Sequence, residues 1–307
     1  MSSPPLIGFS RPAAPQAAGP DLRIAIPRMA ASTWALDSLS QNRAWLGDDY
    51  GITAAAKSRR FSFRMLRYWY VERLLNAMRS TYKRPLRVLE IGVDRGQMKA
   101  FIDGAGHDPA NGNLYSTWDA ADVKPQLDAL ERAGYAECLT VNLDDIDSLS
   151  AFIAEKRDQY DVIIVLHILE HLTQPERAVT FLSVVLRAYG GIIGGFPVLP
   201  SGVAHIREAQ LRKTAQPFGH ISAFSPRRVR KMAERAGLNV AYASGAFAVR
   251  ASGSALEDQR WWVRANVAFG AMFPGWPGEL YFLFQKAGGA LNQQHSTTPD
   301  QAQDSPK

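Results

Sequence analysis

Three side chains able to exchange a proton near neutral pH crowd one short stretch of the chain. His167, Glu170 and His171 fall within Leu166-His167-Ile168-Leu169-Glu170-His171-Leu172, and a fourth, His220, follows in Gly219-His220-Ile221-Ser222. Imidazole titrates near neutrality, so such groups can take a proton from a hydroxyl or amine acceptor. The same set could hold a divalent cation, and its nitrogen-rich donors would favour zinc, manganese or iron over magnesium. The plainer reading is that Glu170 and His171 pack and cap a helix start while His220 bonds a loop carbonyl. A divalent metal therefore stays open on the sequence alone.

A second group of residues reads as a ligand cradle. In Arg87-Val88-Leu89-Glu90-Ile91-Gly92-Val93-Asp94-Arg95-Gly96 an apolar run enters a turn with glycines at Gly92 and Gly96. Glycine lets backbone approach a ligand and accepts positive φ. A helix starting near Gln97 would aim its free N–H groups at that ligand. A dinucleotide fingerprint wants glycine where Glu90 stands; a carboxylate there suits a ligand carrying an ammonium group. Trp118-Asp119 reads as the tip of a second strand, where Asp119 can accept hydrogen bonds from a ribose diol. Val141-Asn142-Leu143-Asp144 ends a third strand and offers an amide or carboxylate to an adenine amino group. Asp at a turn is often structural, but three such features in order make a nucleoside-binding edge.

A scaffold must bring these separated segments to one edge. Leu86–Ile91, Leu114–Trp118, Cys138–Val141, Val162–Leu166 and Gly191–Phe196 are strand candidates, most without polar alternation, as expected of parallel strands covered on both faces. Val240–Ala243 and Leu280–Phe284 could complete the sheet. Thr173-Gln174-Pro175-Glu176 has a capping-box pattern for a helix running to about Tyr189 and stopped by Gly190 and Gly191. Ser225-Pro226 sets an N-cap and N1 proline for Arg227–Ala236, with Gly237 as the stop. Strands alternating with helices specify a doubly wound α/β sheet that binds ligands at its strands' carboxyl ends. The expected organisation is a flexible lead over 1–30, an N-terminal helical cap over 31–82, a core over 83–287 and a flexible tail over 288–307. Residues 197–224 are expected as a loop over the site, with His205 and Arg207 read as ordinary solvated residues ahead of acceptor contacts. Leu256–Phe273 reads as an aromatic-rich helix, covering the sheet or facing a lipid or membrane surface.

These residues carry a family resemblance. Glu90-Ile91-Gly92-Val93-Asp94-Arg95-Gly96 resembles motif I of class I S-adenosylmethionine-dependent methyltransferases, with Asp94 where a glycine is usual. Tyr160-Asp161-Val162-Ile163-Ile164-Val165-Leu166-His167-Ile168-Leu169-Glu170-His171-Leu172 is similar to the fourth-strand motif of the branch holding ubiquinone-pathway and many small-molecule methyltransferases. Gly219-His220-Ile221-Ser222-Ala223-Phe224-Ser225-Pro226, with Ala236-Gly237-Leu238, resembles that branch's segment after the fifth strand. The similarity covers roughly residues 83–245. It implies a Rossmann-like, seven-stranded, mostly parallel sheet with the last strand antiparallel and helices on both faces. It also implies S-adenosylmethionine as cofactor, leaving as S-adenosylhomocysteine. By resemblance Glu90, Gly92 and Gly96 line the methionyl side, Asp119 the ribose, and Asn142 with Leu143 the adenine; Asp94 and Leu166 join the cofactor set. Asn142 stands where Asp is usual, which keeps polarity but not charge. Some relatives, small-RNA 2′-O-methyltransferases among them, hold a divalent cation on Glu-x-x-Glu-His and a distant His. Here His167 replaces the first glutamate.

Composition narrows the partners. Lys plus Arg number 35 against 29 Asp plus Glu, for a net charge of +6. That excess is modest, so the densest cluster, Lys57-Ser58-Arg59-Arg60-Phe61-Ser62-Phe63-Arg64 with Arg67, reads as a solvated helix face rather than a nucleic-acid surface. The single cysteine, Cys138, excludes an intramolecular disulfide and a cysteine-clustered zinc site. No apolar run is long enough to span a bilayer and no secretory signal is visible, so a cytoplasmic setting is expected, with peripheral membrane contact open. The leading expectation is O- or N-methylation of a small-molecule or glycan- or lipid-linked acceptor. The alternatives are an RNA or protein methyltransferase, a nicotinamide dehydrogenase (disfavoured by Glu90) and a catalytically degenerate partner subunit.

Overall fold

The structure, a computed structural model, describes residues 30–41, 59–104, 117–214, 216, 219–249 and 253–288. Most of the expected lead and tail, and Lys57 and Ser58 of the basic cluster, lie outside the described residues. Two short helices, α1 (Ala30–Thr33) and α2 (Asp37–Gln41), precede a long one, α3 (Phe63–Tyr82). Then β1 (Arg87–Ile91), α4 (Gln97–Asp103), β2 (Thr117–Asp122), α5 (Leu127–Arg132), β3 (Glu137–Thr140), α6 (Ile146–Lys156) and β4 (Tyr160–Leu166) alternate. After a 3₁₀ turn over Leu169–His171 come α7 (Pro175–Val185), β5 (Leu186–Val198), α8 (Ser201–Lys213), α9 (Pro226–Arg235) and β6 (Leu238–Gly245). A second 3₁₀ turn (Ala255–Asp258), α10 (Arg260–Met272) and β7 (Gly278–Lys286) follow.

The seven strands form one sheet in the order β3-β2-β1-β4-β5-β7-β6. The pairs from β3 to β5 are parallel, and β7 runs antiparallel to both β5 and β6. This is the doubly wound sheet that the strand and helix pattern implied, with the seven strands and antiparallel last strand that the family resemblance implied. One apolar cluster joins α3, α4 and α10 to Val88, Val162, Ile164, Tyr281 and Leu283. The other joins α6, α7 and α9 to Leu89, Ile91, Ile163, Val165, Phe282 and Phe284. Alternate residues of each strand serve opposite faces, which is why the inner strands read as unbroken apolar runs.

Several local expectations need correction. The second strand runs over Thr117–Asp122 rather than ending at Trp118-Asp119. The helix after Pro175 stops at Val185, and Gly190 and Gly191 lie inside β5. Those glycines are there for close approach: a Cβ on Gly190 would lie 3.0 Å from the Asp161 carbonyl oxygen. The capping box does not form. Gln174 is the N-cap with no side-chain bond, while Thr173 donates its N–H and hydroxyl to Asp144. Ser225 does cap α9, accepting from Arg228 N. Residues 201–213, expected as loop, form α8, with only Ala204 buried and with His205 and Arg207 exposed. The expected helix over Leu256–Phe273 divides into the 3₁₀ turn and α10, which buries Val263 and Val267 and exposes Trp261 and Met272, with Phe273 exposed just past its end.

The N-terminal helices are part of the core. α3 buries Trp69 and Tyr70 completely, and Tyr70 stacks on Tyr281 of β7 with ring centroids 4.2 Å apart. Its first turn has no side-chain cap of its own. Glu257, buried in the 3₁₀ turn, supplies one by accepting from Phe63 N at 2.9 Å. A carboxylate there satisfies a free N–H and favours the positive end of the helix dipole.

Candidate cofactor and acceptor groove

The groove lies along the carboxyl ends of β1 to β4. Beyond β1 the chain turns through Gly92, Asp94 and Gly96 at φ of +74°, +48° and +78°. Left-handed backbone explains the residue types, since glycine and, less readily, aspartate accept it. Asp94 thus keeps the turn's shape where glycine is usual. Its carboxylate accepts from Gln97 at 2.7 Å and Gln126 at 3.0 Å. A Cβ on Gly92 would sit 1.9 Å from Ile168 Cδ1, so the segment after β4 closes directly over the turn. Gly96 starts α4 and packs against Tyr135, outside the groove lining.

Glu90 sits at the inner end of this turn, buried on the α3 side of the sheet. The Tyr135 hydroxyl donates to Glu90 Oε2 at 2.5 Å. Burial pushes its carboxyl up to about 8, although the Tyr135 bond and the nearby Lys99 ammonium pull the other way. A carboxylate this reluctant to ionise alone is suited to a cationic ligand that restores its charge. Arg67 and Tyr68 of α3, with Glu90, Gly92, Asp94, Leu166 and His167, enclose a cavity of about 200 Å³. It shares walls at Gly92, Asp94 and His167 with a cleft of about 570 Å³ lined by Asp122, Asn142, Leu143 and His171.

The expectation for Asp119 is corrected here. Asp119 is paired with Leu89 in the register of β1 and β2 and is 1% exposed. Its carboxylate binds the Arg87 guanidinium, with Nη2 at 3.1 Å, beneath the sheet's middle. The acid at the strand's tip is Asp122, three residues on and about 10 Å further along the strand. Gly92 N donates to Ala121 O at 2.8 Å, which fixes the glycine turn beside that tip. Asn142 and Leu143 do reach the cleft; Asn142 Oδ1 accepts from Asp144 N at 3.1 Å. Asp144 also lines it, but its carboxylate is held by Thr173.

The proton-handling residues assemble beyond the end of β4. His167 follows the strand at φ +56°, an uncommon conformation for a non-glycine residue. Its Nδ1 is 3.0 Å from Glu170 Oε1, and its Nε2 stands 3.7 Å from Glu279 of β7. Burial presses the imidazole toward neutrality, but Glu170 and Glu279 outweigh it and raise its pKa. Tyr281 donates to Glu279, and Arg67 Nη2 is 3.8 Å from Glu279 on the other side. His171 Nδ1 bonds Gly219 O at 3.1 Å, so the loop-carbonyl bond expected of His220 is made by His171 instead. The His171 and His220 rings meet edge to face at 4.9 Å. Desolvation, with the neighbouring histidines and Arg207, lowers the pKa of His220 despite Glu170.

The ligand atoms of Glu170, His171 and His220 lie within 4.8 Å of one another. Glu170 Oε2 is buried without a hydrogen-bond partner. Two imidazoles and an orphaned carboxylate oxygen fit a divalent cation of the zinc, manganese or iron type better than magnesium. His167 is not in this set; it is turned to the other oxygen of Glu170.

Asp122, Arg67, Tyr68 and Glu279 were missed from sequence. Asp122 had a signal, because Trp118-Asp119-Ala120-Ala121-Asp122 offers two acids and no turn residue between them. Glu279 stands alone before Leu280-Tyr281-Phe282-Leu283-Phe284, which marks it as unusual without saying what it meets.

A doubly wound sheet with this glycine turn and a buried acid behind it defines a class I methyltransferase fold. The chain belongs to the methyltransferase domain family, whose profile matches residues 62–243. It is an S-adenosylmethionine-binding methyltransferase domain, with S-adenosylhomocysteine as the product form of its cofactor. No curated protein sequence matches it. Among solved structures it is similar to the trans-methyltransferase CalH in complex with SAH, at 18% identity and a TM-score of 0.48, covering 72% of this chain and 58% of that one. It is also similar to the CurJ carbon methyltransferase (14% identity, TM-score 0.44, 87% of this chain and 69% of that one). A SAM-dependent methyltransferase from Archaeoglobus fulgidus matches at 12% identity and TM-score 0.41, over 71% of this chain and 94% of that one. None of the described helices is long and apolar enough to cross a membrane.

Proposed function

We propose that this chain methylates an oxygen or nitrogen of a small-molecule or glycan- or lipid-linked acceptor. The observation that carries the reading is one groove built of two cavities that share walls. It has a buried, charge-poor carboxyl at one end, a strand-tip acid in its wall and a proton-handling cluster at the mouth of β4. Bound S-adenosylmethionine supplies an electrophilic methyl group on a sulfonium. Glu90 receives the ammonium of its methionyl part, Asp122 its ribose hydroxyls, and Asn142 with Leu143 its adenine. Gly92 and Asp94 keep the backbone close to the ligand, and Leu166 packs on the methionyl side. Methyl transfer is an in-line displacement, so holding the acceptor in line and excluding water supply much of the rate.

In this reading His167 takes the acceptor's proton. Glu170 and Glu279 orient its ring and stabilise the imidazolium that results, the logic of a base held by carboxylates. His171 and His220 border the acceptor side; with Glu170 they would hold a divalent cation that lowers the pKa of a coordinated hydroxyl. The basic cluster gives little support to RNA as acceptor. Arg59 is paired with Asp258, and Arg67 points inward to Glu279.

The test is transfer of tritium from S-adenosyl-[methyl-³H]methionine into a cell extract, followed by separation into small-molecule and lipid, RNA, and protein fractions. Label is expected in the first. Label confined to RNA or protein would overturn the reading, and cofactor binding without transfer to any fraction would favour the non-catalytic one.

A further inference from the structure

We propose that the protein docks on anionic membranes through a face at the active-site end of the sheet. This rests on surface chemistry and not on the identity of the acceptor. Three elements meet there. The turn joining α10 to β7 presents Met272, Phe273 and Trp276, each half or more exposed. β7 is antiparallel to β5, with Pro197 opposite Glu279, so this turn lies at the same end of the sheet as the carboxyl tips of the parallel strands. Pro226, the first residue of α9, abuts the turn: a Cβ on Gly275 would lie 3.7 Å from its Cγ. α8 completes the face. Its Val203 and Ile206 are more than half exposed, and Ser201 shares with Arg227 and Lys231 the walls of a shallow depression.

The exposed charges beside these apolar groups are mostly positive. α9 exposes Arg227, Arg230, Lys231 and Arg235, with Glu234 as its exposed acid. Arg228 is spent on Glu176 and Glu208 and holds α8 and α7 to α9. Exposed tryptophan, phenylalanine and aliphatic side chains next to lysine and arginine are the chemistry of an interfacial membrane site. The rings enter the headgroup layer and the cations meet anionic lipids. Charge complementarity selects this occupant. A two-fold dimer through the same face would set cation against cation. Nucleic acid would leave Val203, Ile206 and Met272 without a use.

The test is sedimentation of the full chain with vesicles of phosphatidylcholine alone and of phosphatidylcholine mixed with phosphatidylglycerol. Calorimetric S-adenosylhomocysteine binding is measured in parallel as the folding control. Binding about tenfold or more tighter to the anionic vesicles is expected, weakening with salt. Arg227→Glu with Lys231→Glu should bring it to the level of neutral vesicles, and Met272→Ser with Phe273→Ser should lower it about fivefold or more. S-adenosylhomocysteine affinity should be unchanged in both. Equal sedimentation with the two vesicle types, or anionic binding that neither pair alters, overturns the proposal. So does a vesicle-free dimer dissolved by the serine pair, which gives the face to a second copy, or an RNA complex lost with the charge reversal and displaced by no vesicle.

Discussion

The behaviour of Glu90 decides how the groove senses its ligand. Its folded-state pKa, about 8, is raised from an ordinary value of 4.5 by burial. In the unliganded protein this protonated carboxyl contributes stability in full below about pH 4.5, and the contribution is lost as pH rises through 8. The thermal midpoint of the free protein should therefore fall between pH 5 and 8 more steeply than that of Glu90→Gln. Scans of both proteins across that range would show it, and parallel curves would contradict it. An ammonium-bearing ligand reverses the balance by requiring the carboxylate. At pH 6.5, calorimetry in buffers of different ionisation enthalpy should report close to one proton released per S-adenosylhomocysteine, and almost none for Glu90→Gln. Across the groove, Glu170, His171 and His220 give a separate expectation. Chelation should lower turnover by about tenfold or more, with restoration by zinc or manganese ahead of magnesium. Undiminished turnover in chelator would leave those residues to acceptor positioning.

At the scale of elements, the close approaches carry the clearest prediction. α10 crosses β6 where Gly270 meets Gly245, and a Cβ on Gly270 would lie 2.3 Å from the Gly245 carbonyl carbon. Backbone cannot yield as a side-chain tip can, so Gly270→Ala should destabilise by about 2–3 kcal/mol. The thermal midpoint should drop by roughly 5–10 °C; a change below about 2 °C would mean that the helix shifts freely. The same elements show what the sequence could and could not tell. Unbroken apolar runs and the helix punctuation at Ser225-Pro226 announced the sheet and α9. The Glu90-to-Gly96 turn was legible because positive φ restricts residue choice. Asp119 misled because strand ends are poorly marked by residue type: two acids stood in one run, and only the pairing with Arg87 shows which is structural. Likewise Thr173 looked like a cap, but its hydroxyl found Asp144 across the fold. The cap that α3 uses comes from Glu257, far along the chain, and no local pattern could reveal it.

At the scale of the whole molecule, the N-terminal helices and the sheet are joined by one apolar cluster. Trp69 lies wholly buried in it, edge-on to Trp34 with centroids 5.6 Å apart. Trp69→Ala should cost about 3–5 kcal/mol and lower the midpoint by roughly 6–20 °C in a single transition. Two separate transitions in calorimetry would show that the α3 region and the sheet melt independently. Because α3 also carries Arg67 and Tyr68 into the smaller cavity, loosening it should weaken cofactor binding as well.

The central claim is that a nucleoside-bearing cofactor lies along the turn after β1, its sugar held by the acid at the tip of β2. Calorimetric titration of S-adenosylhomocysteine into Asp122→Ala and Asp119→Ala, with thermal midpoints alongside, tests it most directly. Losing charged hydrogen bonds to the ribose should cost Asp122→Ala about 30-fold or more in affinity, with its midpoint nearly unmoved. Asp119→Ala should keep its affinity and lose about 1–3 kcal/mol of stability, because Arg87 loses its charged hydrogen bonds to a buried carboxylate. The reverse pattern, with Asp119→Ala blind to the ligand and Asp122→Ala binding normally, would contradict the account.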